Sequence, residues 1–324
     1  MRSHLYHREG IAYDVLRYNM GWVDVDAKPI ASRTGKALRP TLCLLTCEAV
    51  GGDPALAIPG AVSVEFIHNF SLVHDDIQDQ DEVRWGRPTV WSIWGKPKAL
   101  VAGNLLRAVA DQALWNLDKQ GLDYTVATKV VHLLTESYLS MIEGQYLDVA
   151  YEGHSDTELA EYLDMISRKT GALIRCSVNI GAVIGTKDTV RIKAFQNFGR
   201  SLGYVFQIRD DMLGTWGEEK KTGKPVGSDI RRKKNSLPIV HAMAQSKGTQ
   251  QHQLKSIYAK NEISGQDVVD VLDIMATAGS QEYAENLLQE HGSMAMEAID
   301  NADIAPTTKH EISQIVEFLL IREY

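Results

Sequence analysis

The sequence predicts an all-α protein, and three features of it do so. None of its nine prolines falls between Pro97 and Pro225, a stretch of about 125 residues whose helix interiors would exclude them. Within that stretch Val126, Val130, Leu133, Leu134, Tyr138, Met141 and Ile142 recur at spacings of three and four, with Lys129, Glu136 and Glu143 between them. No alternating run of comparable length competes with this pattern.

The elements follow in chain order. Cys43 and Cys47 lie one helical turn apart in an apolar stretch. With Cys176 they make three cysteines, too few and odd in number for a disulfide framework, so packed reduced thiols are expected. Gly51 to Pro59 reads as a turn, an apolar amphipathic run then leads to Asp75, and Arg84 to Pro97 reads as a loop. After the 126–142 helix the helical spacing returns in Leu159, Tyr162, Leu163 and Ile166. It returns again in Phe195, Phe198, Leu202, Val205, Phe206, Asp210 and Leu213. Gly153 to Asp156, Gly185 to Asp188 and the Gly- and Lys-rich segment from Gly214 to Lys234 read as connections between helices. None resembles a domain linker, so residues 1–324 are expected to form a single domain.

Composition narrows the function. The chain has 34 Lys and Arg against 42 Asp and Glu, a net charge of −8, which argues against a nucleic-acid binder that must displace counterions with a broad basic face. At 44% hydrophobic and 23% charged it reads as an ordinary soluble protein. No unbroken apolar run reaches the ~18 to 20 residues of a membrane span, and the N-terminal MRSHLYHREG shows neither a signal peptide nor a lipidation motif. A cytoplasmic protein without a transmembrane segment is expected.

Two aspartate clusters carry the chemistry. The first is His74-Asp75-Asp76-Ile77-Gln78-Asp79, at the end of an apolar helix, with Asp75 and Asp79 on one face. Like charges at that spacing cost a helix a few tenths of a kcal/mol, which a bound cation would offset. The second is Gln207-Ile208-Arg209-Asp210-Asp211, placed on the last turn of another apolar helix, where negative charge opposes the macrodipole. Carboxylates without paired His or Cys suit Mg2+, which keeps its waters and shares a few carboxylates with substrate phosphates. Arg84 and Arg87 follow the first cluster, and Lys220, Lys221, Lys224, Arg231, Arg232, Lys233 and Lys234 follow the second. An acidic metal cage ringed by cations is what a diphosphate needs.

The first string, continued by Arg84, Gly86, Arg87, Pro88 and Thr89, resembles the first aspartate-rich motif of the trans-isoprenyl (polyprenyl) diphosphate synthases. Phe206 to Asp211, followed by Gly223-Lys224, Asp229 and Lys234 to Pro238, resembles their second. Gly35-Lys36-Ala37-Leu38-Arg39-Pro40, Glu65 to His68, Glu143-Gly144-Gln145 and Lys169-Thr170-Gly171 match further, in the family's order.

The resemblance implies an isoprenoid-synthase-type helical bundle with a central active-site cavity, and Mg2+ held by Asp75, Asp79 and Asp210, with Asp76 and Asp211 supporting the metal site through hydrogen bonds. It implies Arg84, Lys169, Lys224 and Lys234 as the grip on an allylic prenyl diphosphate. Lys36, Arg39 and His68 would hold isopentenyl diphosphate, and Gln207 and Thr170 would orient reacting or phosphate groups. It also implies a homodimer and a product of farnesyl or geranylgeranyl length, since Phe70, before the first cluster, resembles the floor of a short product tunnel.

Three positions depart from the family's pattern, among them Asn104, which stands where Gly-Asp is common. Trp85 stands where a second arginine is usual, with Arg87 as a candidate replacement, and Gly214 stands where the second cluster usually ends in a carboxylate. Trp85 motivates an alternative, a terpene synthase that cyclises a prenyl diphosphate without isopentenyl diphosphate, because an aromatic ring stabilises a carbocation. A non-catalytic partner subunit of a synthase is a second alternative. A metal-dependent phosphohydrolase built on His74-Asp75 is a third, and it leaves the second cluster unexplained.

Overall fold

The computed structural model describes residues 1–31, 35, 37–115, 117–154, 156–223 and 225–323, so Lys36 and Lys224 lie outside the described residues. These residues are helical almost throughout, as their periodicity predicts. They divide into two compact units, Met1–Glu136 with Cys176–Asp188, and Ser137–Arg175 with Thr189–Tyr324. Two of the three divisions fall inside the helices Tyr124–Tyr151 and Ala172–Gly185, and the third falls in the three-residue connection before Thr189–Trp216, so no composition shift marks them.

In the first unit the helix Pro54–Gln78 packs between Leu38–Ala49 and Lys96–Ala113. Asp53 starts it by accepting the Ala55 N–H at 2.9 Å, and Pro54 takes the first position, where a missing N–H costs nothing. The expected turn therefore ends at Asp53, and Pro59 lies inside the helix. Its middle is buried nearly all round through Ala61, Val64, Phe66, Ile67, Phe70 and Val73. This helix is long and apolar enough to cross a membrane although no unbroken apolar run in it reaches ~18 residues, and 61% of its most apolar window is buried inside the protein. That burial is the mark of a core helix. The three cysteines are buried and free; burial pushes the Cys47 thiol up to about 11 and holds the Cys43 thiol well above its ordinary value.

The expected 84–97 loop holds structure of its own. Val83–Arg84 pairs antiparallel with Arg87–Pro88, and the helix Val90–Trp94 follows. Trp85 (φ 52°) and Gly86 (φ 74°) form the tip, the left-handed pair that a tight hairpin of this hand requires. Glycine adopts that conformation freely, whereas tryptophan is strained in it.

In the second unit Thr189–Trp216 packs along Ser280–Asp300. Ile239, Leu254, Val271 and Met275 join the helices Leu237–Gln245, Gly248–Tyr258 and Gly265–Thr277 in one core cluster. A capping box between Glu158 and Glu161 opens Leu159–Ile166, which runs into a π-helical turn, Ser167–Gly171, before Ala172–Gly185. Gly214 is expected to end the 195–213 helix, but the helix continues to Trp216. Asp210 and Asp211 therefore sit more than a turn inside it, beyond the reach of the C-terminal dipole.

Candidate active site

The C-terminal end of Pro54–Gln78 carries the first cluster. Asp75 and Asp79 are half-buried one turn apart, and Asp79 caps the helix with its N–H on the Asp75 carbonyl at 2.7 Å. Asp76 is 4% exposed and accepts the Arg84 Nε–H at 2.6 Å. Burial pushes its carboxyl up to about 6 against the pull of Arg84. The hairpin thus returns Arg84 to the helix it follows.

Arg87 does not replace the missing arginine. Its Nη1 donates to the Tyr18 carbonyl at 3.2 Å and its Nη2 to the Val23 carbonyl at 3.0 Å, while the guanidinium lies 4.2 Å over the Tyr18 ring. Both arms of its fork staple the hairpin to the N-terminal segment. Trp85 is 55% exposed beside it.

Further up the same helix, His68 faces Arg39 at 3.3 Å, and Glu65 takes the Asn69 amide. Burial, with help from Arg39 and Arg84, holds His68 well below its ordinary 6.5, so it is neutral, and burial raises Glu65. Phe70 is buried with its ring 4.8 Å from His74, edge to face. His74 meets the Leu100 carbonyl at 3.3 Å, which commits it to packing and not to a metal-dependent hydrolase centre.

The second unit holds a cavity of about 340 Å³, lined by Asp148, Lys169, Gln207, Asp210, Asp229 and Lys234 among others. Asp211 is its structural hub. Its carboxylate accepts from the Tyr162 hydroxyl, from Gln207 Nε2 at 2.8 Å and from the Leu237 N–H at 2.7 Å, which caps the helix Leu237–Gln245. Gln207 in turn accepts the Thr170 hydroxyl at 2.6 Å. Burial pushes Asp211 up to about 7 despite these three donors, and Asp229 adds to the rise. Asp210, one residue earlier and 41% exposed at its side chain, keeps a face toward solvent.

Lys169 sits in the π-helical turn and pairs with Asp148. The turn lies against Gly144, where a Cβ would stand 2.2 Å from the Lys169 backbone nitrogen, and against Gly203, where one would stand 2.7 Å from the Gly171 Cα. Only glycine permits either approach. Lys234 follows a left-handed Lys233 (φ 54°) and is the one described basic residue after the second cluster that lines the cavity. Lys221 pairs with Glu218 and Glu323, and Lys233 donates to the Lys260 carbonyl, so the expected ring of cations is thinner than its sequence.

The absent side chain at Gly214 has a use. A Cβ there would stand 2.0 Å from Asp229 Oδ2, so the Asp229 carboxylate occupies that space, supplied from the short helix Ser228–Arg231.

Among the described residues no three of His, Cys, Asp and Glu converge on one ready-made ion cage. Half-buried hard oxygen donors, one or two at a time, are what Mg2+ takes when substrate phosphates complete its shell, so the residues fit that ion. The candidates Asp75, Asp76, Asp79, Arg84, Arg39, His68 and Phe70 gather in the first unit, and Lys169, Thr170, Gln207, Asp210, Asp211 and Lys234 in the second. Asp148, Tyr162 and Asn235 were not foreseen. Asn235 Nδ2 donates to the His154 carbonyl at 3.1 Å and so ties two loops at the cavity rim. The Gly144-Gln145 step was the only signal for Asp148, one turn beyond Gly144.

The polyprenyl synthetase family model matches residues 22–275. The chain belongs to that family. Among curated members it is 35% identical over 315 residues to the (2E,6E)-farnesyl diphosphate synthase of Mycobacterium tuberculosis, covering 95% of this chain and 86% of the other. It is 36% identical over 290 residues to a geranylgeranyl diphosphate synthase of the same organism, covering 89% and 81%. The crystal structure of a polyprenyl synthetase from Streptomyces coelicolor A3(2) superposes with a TM-score of 0.90 at 33% identity, covering 99% of this chain and 95% of that one.

Proposed function

We propose that the protein is a short-chain trans-prenyltransferase that condenses an allylic prenyl diphosphate with isopentenyl diphosphate to give farnesyl or geranylgeranyl diphosphate. The observation that carries this reading is one cavity in which the Asp210 carboxylate lies with the Lys169 and Lys234 ammonium groups. A carboxylate for a hard cation and two ammonium groups for a diphosphate suit one ligand, a metal-bound diphosphate ester. Relatives with farnesyl and geranylgeranyl diphosphate synthase names support the short chain length.

Asp75, Asp79 and Asp210 would hold Mg2+, which supplies charge neutralisation for a departing diphosphate. Lys169, Lys234 and Arg84, with Lys224 by resemblance, bind the allylic diphosphate, and the paired Asp148 and Asp76 fix where two of those cations start. Asp76 and Asp211 serve as supports, since their oxygens are already taken by Arg84 and by Tyr162, Gln207 and Leu237. Ionisation leaves an allylic cation that the double bond of isopentenyl diphosphate attacks; proton loss then gives a diphosphate one isoprene unit longer. Arg39 and neutral His68, with Lys36 by resemblance, hold the second substrate. Thr170 and Gln207, locked in one hydrogen-bonded chain, orient the first.

The reading takes residues 1–324 as one polyprenyl-synthase-like domain, active in the cytoplasm as a homodimer. Leu139, Ile142, Tyr146 and Val149 support the dimer: they are exposed, fall within about 80° of each other on the helix Tyr124–Tyr151, and form an apolar stripe that a second copy would cover. Product analysis of the purified chain with Mg2+, isopentenyl diphosphate and each allylic primer tests the activity; elongated diphosphates are expected, and none with any primer rejects it.

A second reading rests on Arg87. With its fork committed and Trp85 exposed, the grip on isopentenyl diphosphate is short of a cation, which favours a terpene synthase. A cyclic hydrocarbon or alcohol from geranylgeranyl diphosphate alone selects that reading.

A further inference from the structure

The tip of the 83–88 hairpin is strained. Trp85 holds a left-handed backbone (φ 52°), uncommon for so bulky a side chain, although more than half of the residue is exposed. Such strain persists where the surroundings over-determine it, and here the base of the hairpin does so. The Tyr18 hydroxyl donates to the Pro88 carbonyl at 2.7 Å, and Arg87 holds the Tyr18 and Val23 carbonyls. The Asp81 carbonyl accepts from the Thr89 hydroxyl at 2.8 Å and from the Trp91 indole N–H at 2.9 Å. A base tied at both ends aims the indole of Trp85 in one direction.

It is aimed at Gly35. A Cβ on that residue would stand 3.4 Å from both Cζ2 and Cη2 of the ring, van der Waals contact distance, so the far edge of the indole rests against it. Gly35 lies just before the helix Leu38–Ala49. Ala37 opens that helix in a left-handed conformation of its own (φ 48°) and has no side-chain oxygen with which to cap it. Two residues later Arg39 meets His68 at 3.3 Å. The lead-in to Arg39 thus combines a strained alanine, a helix start without a capping side chain, and an aromatic ring laid against its backbone.

We propose that Trp85 is a positioning residue for isopentenyl diphosphate: its indole braces the backbone at Gly35 and so sets where Arg39 is presented to that substrate. This rests on the synthase reading. The residue that stands in place of the usual second arginine then serves the same substrate indirectly, by holding another residue's cation in place. The grip assigned to the allylic diphosphate does not run through the ring, since the neighbouring Arg84 is fixed by its own bond to Asp76 at 2.6 Å.

Steady-state kinetics of the full chain with Mg2+, isopentenyl diphosphate and an allylic primer test this in wild type, Trp85→Asn and Trp85→Phe. Asparagine tolerates the left-handed backbone and carries no ring, whereas phenylalanine keeps one. A loosened Arg39 forfeits the equivalent of one charge-assisted hydrogen bond, so Trp85→Asn is expected to raise the KM for isopentenyl diphosphate about tenfold. The KM for the primer should move by less than about twofold, and Trp85→Phe should restore part of the loss. Amide exchange over residues 37–41 is expected to be faster in Trp85→Asn, while its urea midpoint is no lower because the backbone strain is relieved. An unchanged KM for isopentenyl diphosphate in Trp85→Asn, or equal rises for both substrates, overturns the brace and leaves the synthase reading intact. A wild type that elongates no primer overturns both.

Discussion

Gly214 cedes its side-chain space to Asp229, whose Oδ2 would stand 2.0 Å from a Cβ at that position. Alanine normally gains about 1 kcal/mol over glycine inside a helix, but overpacking against a fixed carboxylate costs about 1 to 3 kcal/mol, so Gly214→Ala should destabilise on balance. In an Asp229→Ala background the clash is gone and the same change should stabilise. Urea unfolding of the four chains of this cycle measures the reversal of sign, and additive effects would disprove the contact.

Loss of a metal carboxylate should affect chemistry and not folding. Asp75→Ala and Asp210→Ala are each expected to lower turnover by orders of magnitude with an unchanged far-ultraviolet circular dichroism spectrum. Near-wild-type turnover in either would remove that residue from the metal site.

Phe70 should limit the product. It is buried on the same helix as the first cluster, one turn before His74, so Phe70→Ala opens space along that helix. Chromatography of the reaction products is expected to show longer chains, and an unchanged distribution from an active variant would exclude the residue as a floor.

His68 gives the acid dependence of stability a sign. Burial holds its native pKa well below 6.5, so as the pH falls the unfolded chain takes up this proton first. Its contribution is complete above about 6.5 and is lost as the pH falls from there toward the depressed native value. Between pH 7.5 and 5 the wild type should therefore lose more stability than His68→Gln, compared by urea midpoints at each pH; parallel profiles would show that His68 takes up its proton equally in the folded and unfolded chains.

The apolar stripe should hold two copies together. A Leu139→Glu/Ile142→Glu double variant places two charges on it without touching the core, and light scattering should show a change from dimer to monomer. A wild type that is already monomeric would remove the stripe from the interface.

Helices were legible in the sequence because their signal is local: a spacing of three and four is a property of neighbouring residues. The clusters were legible for the same reason, since Asp75, Asp79, Asp210 and Asp211 are compact strings. What the sequence hid depends on partners distant in the chain. Gly214 is a helix breaker to any local rule, yet it lies inside a helix because Asp229, fifteen positions later, needs its space. Arg87 is a spare cation to any local rule, yet the distant Tyr18 and Val23 carbonyls hold its fork. Tyr162 and Asn235 are ordinary residues in sequence and acquire a role only through Asp211 and the His154 carbonyl.

The π-helical turn makes chain length itself part of the site. A turn closed five residues back takes in one residue more than an α-helical turn, and the widened turn absorbs it, so the flanking segments stay in phase. Removing one residue from Ser167–Gly171 would yield a more regular helix with its flanks unturned, but the side chains inside the turn would shift by up to one helical position, about 100° round the axis. The irregular segment is thus a spacer of fixed count that aims Lys169 and Thr170, tolerant of exchanges in its letters and intolerant of a change in their number.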